Sequence, residues 1–106
     1  ENLESILDVK GVSGVYIGPS DLGFSYGLHP TLDRTEPQIL EIYEKIVKAC
    51  EARGIYPGIH CSGHAGATLA IQRGFKLVTV FNDSGLLAMS AKSHVGEIRK
   101  NSGGKA

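Results

Sequence analysis

The sequence has no excess of either charge: eleven Lys and Arg balance eleven Asp and Glu over 106 residues. A nucleic-acid surface needs a basic excess, so the balance argues against nucleic acid as a partner, but not against a small anionic ligand. No apolar run approaches the ~20 residues of a membrane span, so no membrane partner is expected. No signal peptide is visible either, because the chain opens on a polar, helix-like stretch. Cysteine is scarce. Cys50 and Cys61 form no metal-type pair, and without a secretory signal they are expected as free thiols in a reducing, cytoplasmic compartment. There is no Gly-x-Gly-x-x-Gly or Walker-type loop, so a nucleotide site has no support. The Gly-x-Ser-x-Gly elbow is missing, which weakens a serine-hydrolase reading. An initiator methionine is also lacking. Leu3, Ile6 and Leu7 stand at i, i+3, i+4 with no capping residue ahead. This reads as the tail of a helix that starts upstream, so residues 1–106 are expected to form a single partial domain of a longer protein.

What is present is organised around Gly18-Pro19-Ser20-Asp21-Leu22. The apolar run Val15-Tyr16-Ile17 just before it reads as a buried strand, spanning 13–17, that stops abruptly at Gly-Pro. Asp21 then falls just past the carboxyl end of that strand, where parallel α/β folds bind ligands. Residues 23–34 have no sustained period and read as a surface excursion lining a site. Thr35-Glu36-Pro37-Gln38 is a helix start, with Thr35 as the capping hydroxyl and Pro37 in the first turn. Ile39, Ile42, Ile46, Val47 and Cys50 mark the apolar face of that helix, and Glu41–Lys45 and Glu44–Lys48 form i, i+4 pairs outside. A second strand over 55–59 is expected to be short or irregular, because Pro57 is disfavoured in a central strand. A short helix covers 65–73, a third strand covers 77–80, and Asn82-Asp83-Ser84 offers caps for a last helix with Leu87, Ala91, Val95 and Ile98 on one face. The tail 101–106 is polar and expected to fray.

Three units therefore share one grammar: helix end, glycine (Gly11, Gly54, Gly74), short apolar strand, small polar turn. Alternating helix and strand implies parallel strands, with all three turns opening on one edge of the sheet. Three strands cannot close a barrel of eight, but they match one end of it.

Each chemical candidate has a plain structural reading beside the functional one. Asp21 either caps the following turn or serves as a metal ligand or general base. Gly18-Pro19 bares the Ser20 and Asp21 amides, which suits an anionic group. His60 and His64 flank Cys61, but the intervening residues look like a strand end and turn, a weak zinc signal. His29 is expected to face solvent, and Asp83 and Ser84 to cap the last helix.

The run Gly11-Val12-Ser13-Gly14-Val15-Tyr16-Ile17-Gly18-Pro19-Ser20-Asp21-Leu22 resembles the strand-and-loop signature of the HpcH/HpaI aldolase family. Ala52-Arg53-Gly54-Ile55-Tyr56-Pro57-Gly58-Ile59, Gly74-Phe75-Lys76-Leu77-Val78-Thr79-Val80 and Asp83-Ser84 resemble it more loosely. The resemblance extends to about residue 92. It implies an α/β fold, the C-terminal portion of a (β/α)8 TIM barrel, comprising its sixth to eighth strand–helix units. It implies a class II aldolase that cleaves 4-hydroxy-2-oxo acids to pyruvate and an aldehyde, with a divalent cation (Mg2+, Mn2+ or Co2+). Carried over by position, Asp21 is a metal ligand, the amides of Ser20 and Asp21 contact the pyruvate carboxylate, and Gly18 and Pro19 shape the turn. The family's second metal-ligand Glu, its catalytic Arg and its His–Asp pair match no residue here, so the chain alone is expected to be inactive. Family members form homo-oligomers through the last helix, and Leu86, Leu87, Met89 and Val95 suit that role or packing on the same barrel. A phosphoenolpyruvate- or citryl-type lyase and a non-catalytic α/β fragment are the alternatives.

Overall fold

The computed structural model describes residues 1–103. Eight elements follow in order: α1 (Leu3–Leu7), β1 (Gly14–Ile17), α2 (Pro19–Ser25), α3 (Pro37–Glu51), β2 (Tyr56–Cys61), α4 (His64–Gln72), β3 (Leu77–Val80) and α5 (Asp83–Asn101). The strands form one sheet in the order β1-β2-β3. Both pairings are parallel, with Ile17 opposite Ile59 and Cys61 opposite Val80. The carboxyl ends of all three strands therefore share one edge, as the helix–strand alternation predicts.

Side chains alternate across a strand, so one face of the sheet carries Ile17, Ile59, Cys61 and Val78. These pack on Ile39, Tyr43 and Val47 of α3, Ala70 of α4 and Phe75. A second cluster joins Leu7 to Ala49, Cys50 and Ile55. Outside it, Arg53 binds Asp8 at 2.8 Å and Glu4 at 2.5 Å, tying α1 to the end of α3. The opposite face, with Tyr16, Tyr56 and Leu77, is open to solvent. α5 buries none of its residues. It projects from the rest and gives the molecule its 61 Å length against 27 and 21 Å across. Among the described residues no helix is long and apolar enough to cross a membrane.

Several boundaries differ from the sequence reading for identifiable reasons. Gly18–Leu22 is a helix start rather than an open turn, and the helix continues through Gly23 to Ser25. Gly23 hid this, since glycine disfavours a helix interior. The irregular excursion is consequently shorter, covering residues 26–36. Thr35 does not cap α3; Glu36 occupies that position with no side-chain cap bond, and Pro37 begins the helix. Of the two ion pairs expected on α3, Glu44–Lys48 forms at 3.2 Å. β2 is the longest strand and the central one, despite Pro57. Pro57 carbonyl accepts from Lys76 N–H at 2.9 Å, and β3 begins only at Leu77, so the N–H that proline lacks falls outside the β2–β3 ladder. Asn82 caps α5 by accepting from Gly85 N–H at 2.7 Å; Asp83 and Ser84 lie inside the helix. The helix holds its form to Asn101, while residues 104–106 of the expected frayed tail lie outside the described residues.

Gly11, Gly54 and Gly74, read as helix stops, all have positive φ. Gly74 is the most constrained of the three. Its φ is 101°, and a Cβ there would stand 2.8 Å from Val47 Cγ1. Gly74→Ala is expected to cost about 1–3 kcal/mol through backbone strain, measured by urea unfolding of the intact protein.

Candidate active site

β1 ends at Ile17, and Gly18 and Pro19 turn the chain directly into α2. Proline suits the first helical position because its missing N–H would have no intrahelical partner there. The first bond of the helix runs from Leu22 N–H to Gly18 carbonyl at 2.9 Å. The amides of Ser20 and Asp21 thus precede the ladder and have no acceptor within it. Asp21 is exposed in this first turn. A Cβ on Gly18 would stand 3.1 Å from Asp21 Oδ2, so the carboxylate folds back over the strand end. No side-chain hydrogen bond caps α2, and Asp21 forms no ion pair among the described residues. Asp21 thus stands as an acidic residue in the first turn of α2, without a side-chain ion pair among the described residues.

Two further groups reach the same edge. Asp33 Oδ1 accepts from Ser62 N–H at 3.0 Å, and its Oδ2 accepts from Ser62 Oγ, which ties the loop before α3 to the end of β2. Phe81 follows β3 with a φ of 57°, the one positive value outside glycine among the described residues. Strained backbone of this kind gathers at ligand sites. On the open face below this edge, Thr79 Oγ1 bonds both Tyr16 Oη and His60 Nδ1, the latter at 2.8 Å.

The histidines do not assemble into a metal centre. His60 is engaged with Thr79, His64 begins α4, and His29 is exposed in the loop. No three of His, Cys, Asp and Glu come together among the described residues. Both cysteines are buried and free. Burial pushes their thiols up, with the Asp33 carboxylate adding to the effect at Cys61, so neither offers a thiolate. Asp21 remains the available carboxylate at the mouth of β1.

Arg34 was not legible as part of this region. It is 5% exposed, yet it reaches Pro19, His29 and Glu36 at once. Backbone hydrogen bonding at Glu36 holds its carboxyl below the ordinary value; burial opposes this, and the hydrogen bond and charge of the Arg34 guanidinium lower it further.

A sequence profile described as HpcH/HpaI aldolase/citrate lyase matches residues 1–89. The hydroxypyruvate/pyruvate aldolase of Rhizorhabdus wittichii is 31% identical over 98 residues, covering 92% of this chain and 39% of that protein. The 4-hydroxy-2-oxo-heptane-1,7-dioate aldolase of Salmonella newport is 36% identical over 92 residues, covering 87% of this chain and 34% of its own length. In structure, an HpcH/HpaI aldolase from Desulfitobacterium hafniense superposes with a TM-score of 0.83 at 28% identity, over 92% of this chain and 38% of that one. A family protein from Burkholderia cenocepacia gives 0.82 at 27% identity, over 92% and 37%. The chain thus spans well under half the length of these relatives, and its sheet corresponds to three strand–helix units of their barrel.

Proposed function

The chain belongs to the HpcH/HpaI aldolase/citrate lyase family, and from that premise we propose that it carries part of the substrate and metal site of a class II aldolase. The intact protein would cleave 4-hydroxy-2-oxo acids to pyruvate and an aldehyde. The observation that carries this reading is the Gly18–Asp21 turn: an uncommitted, exposed carboxylate beside two amides that precede the helix ladder, at the carboxyl edge of a parallel sheet. The names of the relatives, aldolases of 2-oxo acids, point the same way.

Asp21 fits a divalent cation (Mg2+, Mn2+ or Co2+) as one oxygen ligand of several. When bound, such a cation supplies Lewis-acid polarisation of the 2-oxo group. The chain's own residues do the holding. The Ser20 and Asp21 amides donate to the pyruvate carboxylate. Gly18 and Pro19 set the angle at which those donors leave the sheet, and the absence of a side chain on Gly18 leaves room for the Asp21 carboxylate. No acid–base group of this chain is assigned to the reaction, so the remaining ligands and the proton-transfer residues come from the rest of the intact protein. The apolar residues exposed on α5, among them Leu86, Leu87, Met89 and Val95, support assembly into a homo-oligomer. A cytoplasmic location accords with the two free thiols.

Pyruvate release from a 4-hydroxy-2-oxo acid tests the proposal. The intact protein with Mn2+ or Mg2+ is expected to turn over and to lose activity in excess chelator, while residues 1–106 alone release none. Turnover of a citryl substrate in place of the hydroxy-oxo acid would favour the lyase alternative that the family description also names.

A further inference from the structure

We infer that Arg34 is the positioning residue of the Gly18–Asp21 turn, acting from behind it and without touching substrate. The inference rests on the reading of that turn as a ligand site. Arg34 sits in the loop between α2 and α3, yet its side chain is only 1% exposed. A guanidinium is taken out of water at high cost unless its donors are all answered. Here each of the three nitrogens has a partner, one in α2 and two in the loop itself. Nε donates to Pro19 carbonyl at 3.2 Å, Nη2 to His29 carbonyl at 2.7 Å, and Nη1 to Glu36 Oε1 at 2.8 Å. Glu36 also accepts from Thr35 N–H at 3.2 Å, which closes the loop on itself.

The bond to Pro19 is the one with consequences for the site. Pro19 carbonyl and Ser20 N–H belong to one planar trans peptide, in which they point in opposite directions; the backbone contains no cis bond among the described residues. A carbonyl drawn inward toward Arg34 therefore turns the Ser20 amide away from it. Asp21 follows on the same turn of helix, so its carboxylate inherits that orientation.

Gly23 shows how closely α2 is fitted to this group. A Cβ at Gly23 would lie 1.7 Å from Arg34 Nη2 and 2.1 Å from Cζ. The glycine thus makes the slot in which the guanidinium lies, at the expense of helix propensity. Lysine cannot replace the arrangement, because a single ammonium does not present the rigid planar fork that reaches three separated acceptors.

The test uses the intact protein with Arg34→Met, Arg34→Lys and Gly23→Ala, and reads backbone amide exchange together with pyruvate KM and kcat. In Arg34→Met, exchange at Leu22–Phe24, the first amides of α2 held in its hydrogen-bond ladder, is expected to rise about tenfold or more while Ile59 and Ala70 hardly change. KM should rise by a similar factor, with kcat less affected. Arg34→Lys should keep the fold without restoring local protection. Gly23→Ala, which displaces the guanidinium but leaves it in the sequence, should reproduce the Arg34→Met pattern and serves in its place if that variant does not fold. Unchanged exchange at Leu22–Phe24 in a folded variant would overturn the inference, as would raised exchange with unaltered KM. Asp21→Asn, run in parallel with Mn2+ titration, separates the two ideas. If it leaves Mn2+ affinity intact, the ligand reading of the turn fails on its own, and the exchange data still decide whether Arg34 holds the turn.

Discussion

Asp21→Ala in the intact protein is expected to abolish measurable aldol cleavage while leaving the fold almost untouched. Loss of a residue that merely orients a metal ligand costs about 10–100-fold in affinity or activity, so removal of a ligand itself should exceed that range. Stability should move little. Asp21 is exposed and forms no ion pair among the described residues. Its one favourable interaction within the chain is that of a negative charge in the first turn of α2, worth about 0.3–1 kcal/mol. A thermal melt beside a pyruvate assay and a Mn2+ titration makes the comparison. Retained activity and metal affinity with a small drop in stability would return Asp21 to the role of an ordinary helix-start residue. Asp21→Asn sharpens the result: it keeps size and some hydrogen bonding but removes the charge, and should lose metal binding nearly as fully.

The site is more legible in the sequence than its support, and the reason is distance along the chain. Gly18-Pro19-Ser20-Asp21 announces a strand end through local rules of backbone geometry, and β1 does end at Ile17, although the chain passes straight into α2 and not into an open turn. The glycine stops at 11, 54 and 74 are equally local, since each requires a left-handed backbone after a helix. Pro57 misled because proline in a strand is judged by its missing donor, and whether that donor is needed depends on where the neighbouring strand begins. Gly23 misled in the same way: its cost to the helix is local, whereas the reason for it is Arg34, 11 residues further on and visible only in the folded chain. The open sheet face and the projecting α5 are periodic and apolar enough to predict as elements, but periodicity does not say what covers them. Local grammar therefore recovers strand ends and turns, while buried charges and packing partners emerge only from long-range contacts.

Tyr43 tests that long-range packing. It is 2% exposed in α3, meets Phe75 edge-on at 5.8 Å and 87°, and sits beside a cavity of about 80 Å³. Its hydroxyl is buried with no partner among the described residues, and burial pushes its pKa up to about 12. Ring and hydroxyl should therefore separate on mutation. Tyr43→Ala removes the ring that joins α3 to Ile59 and Phe75 in the main core, and is expected to cost about 3–5 kcal/mol. Tyr43→Phe keeps the ring and removes a polar group that lacks a partner, so stability should change by less than about 1 kcal/mol or rise. Urea unfolding of the intact protein with an unchanged denaturant slope reads both. A loss in Tyr43→Phe close to that in Tyr43→Ala would show instead that the hydroxyl, through a partner supplied by the rest of the barrel, is what anchors α3 to the sheet.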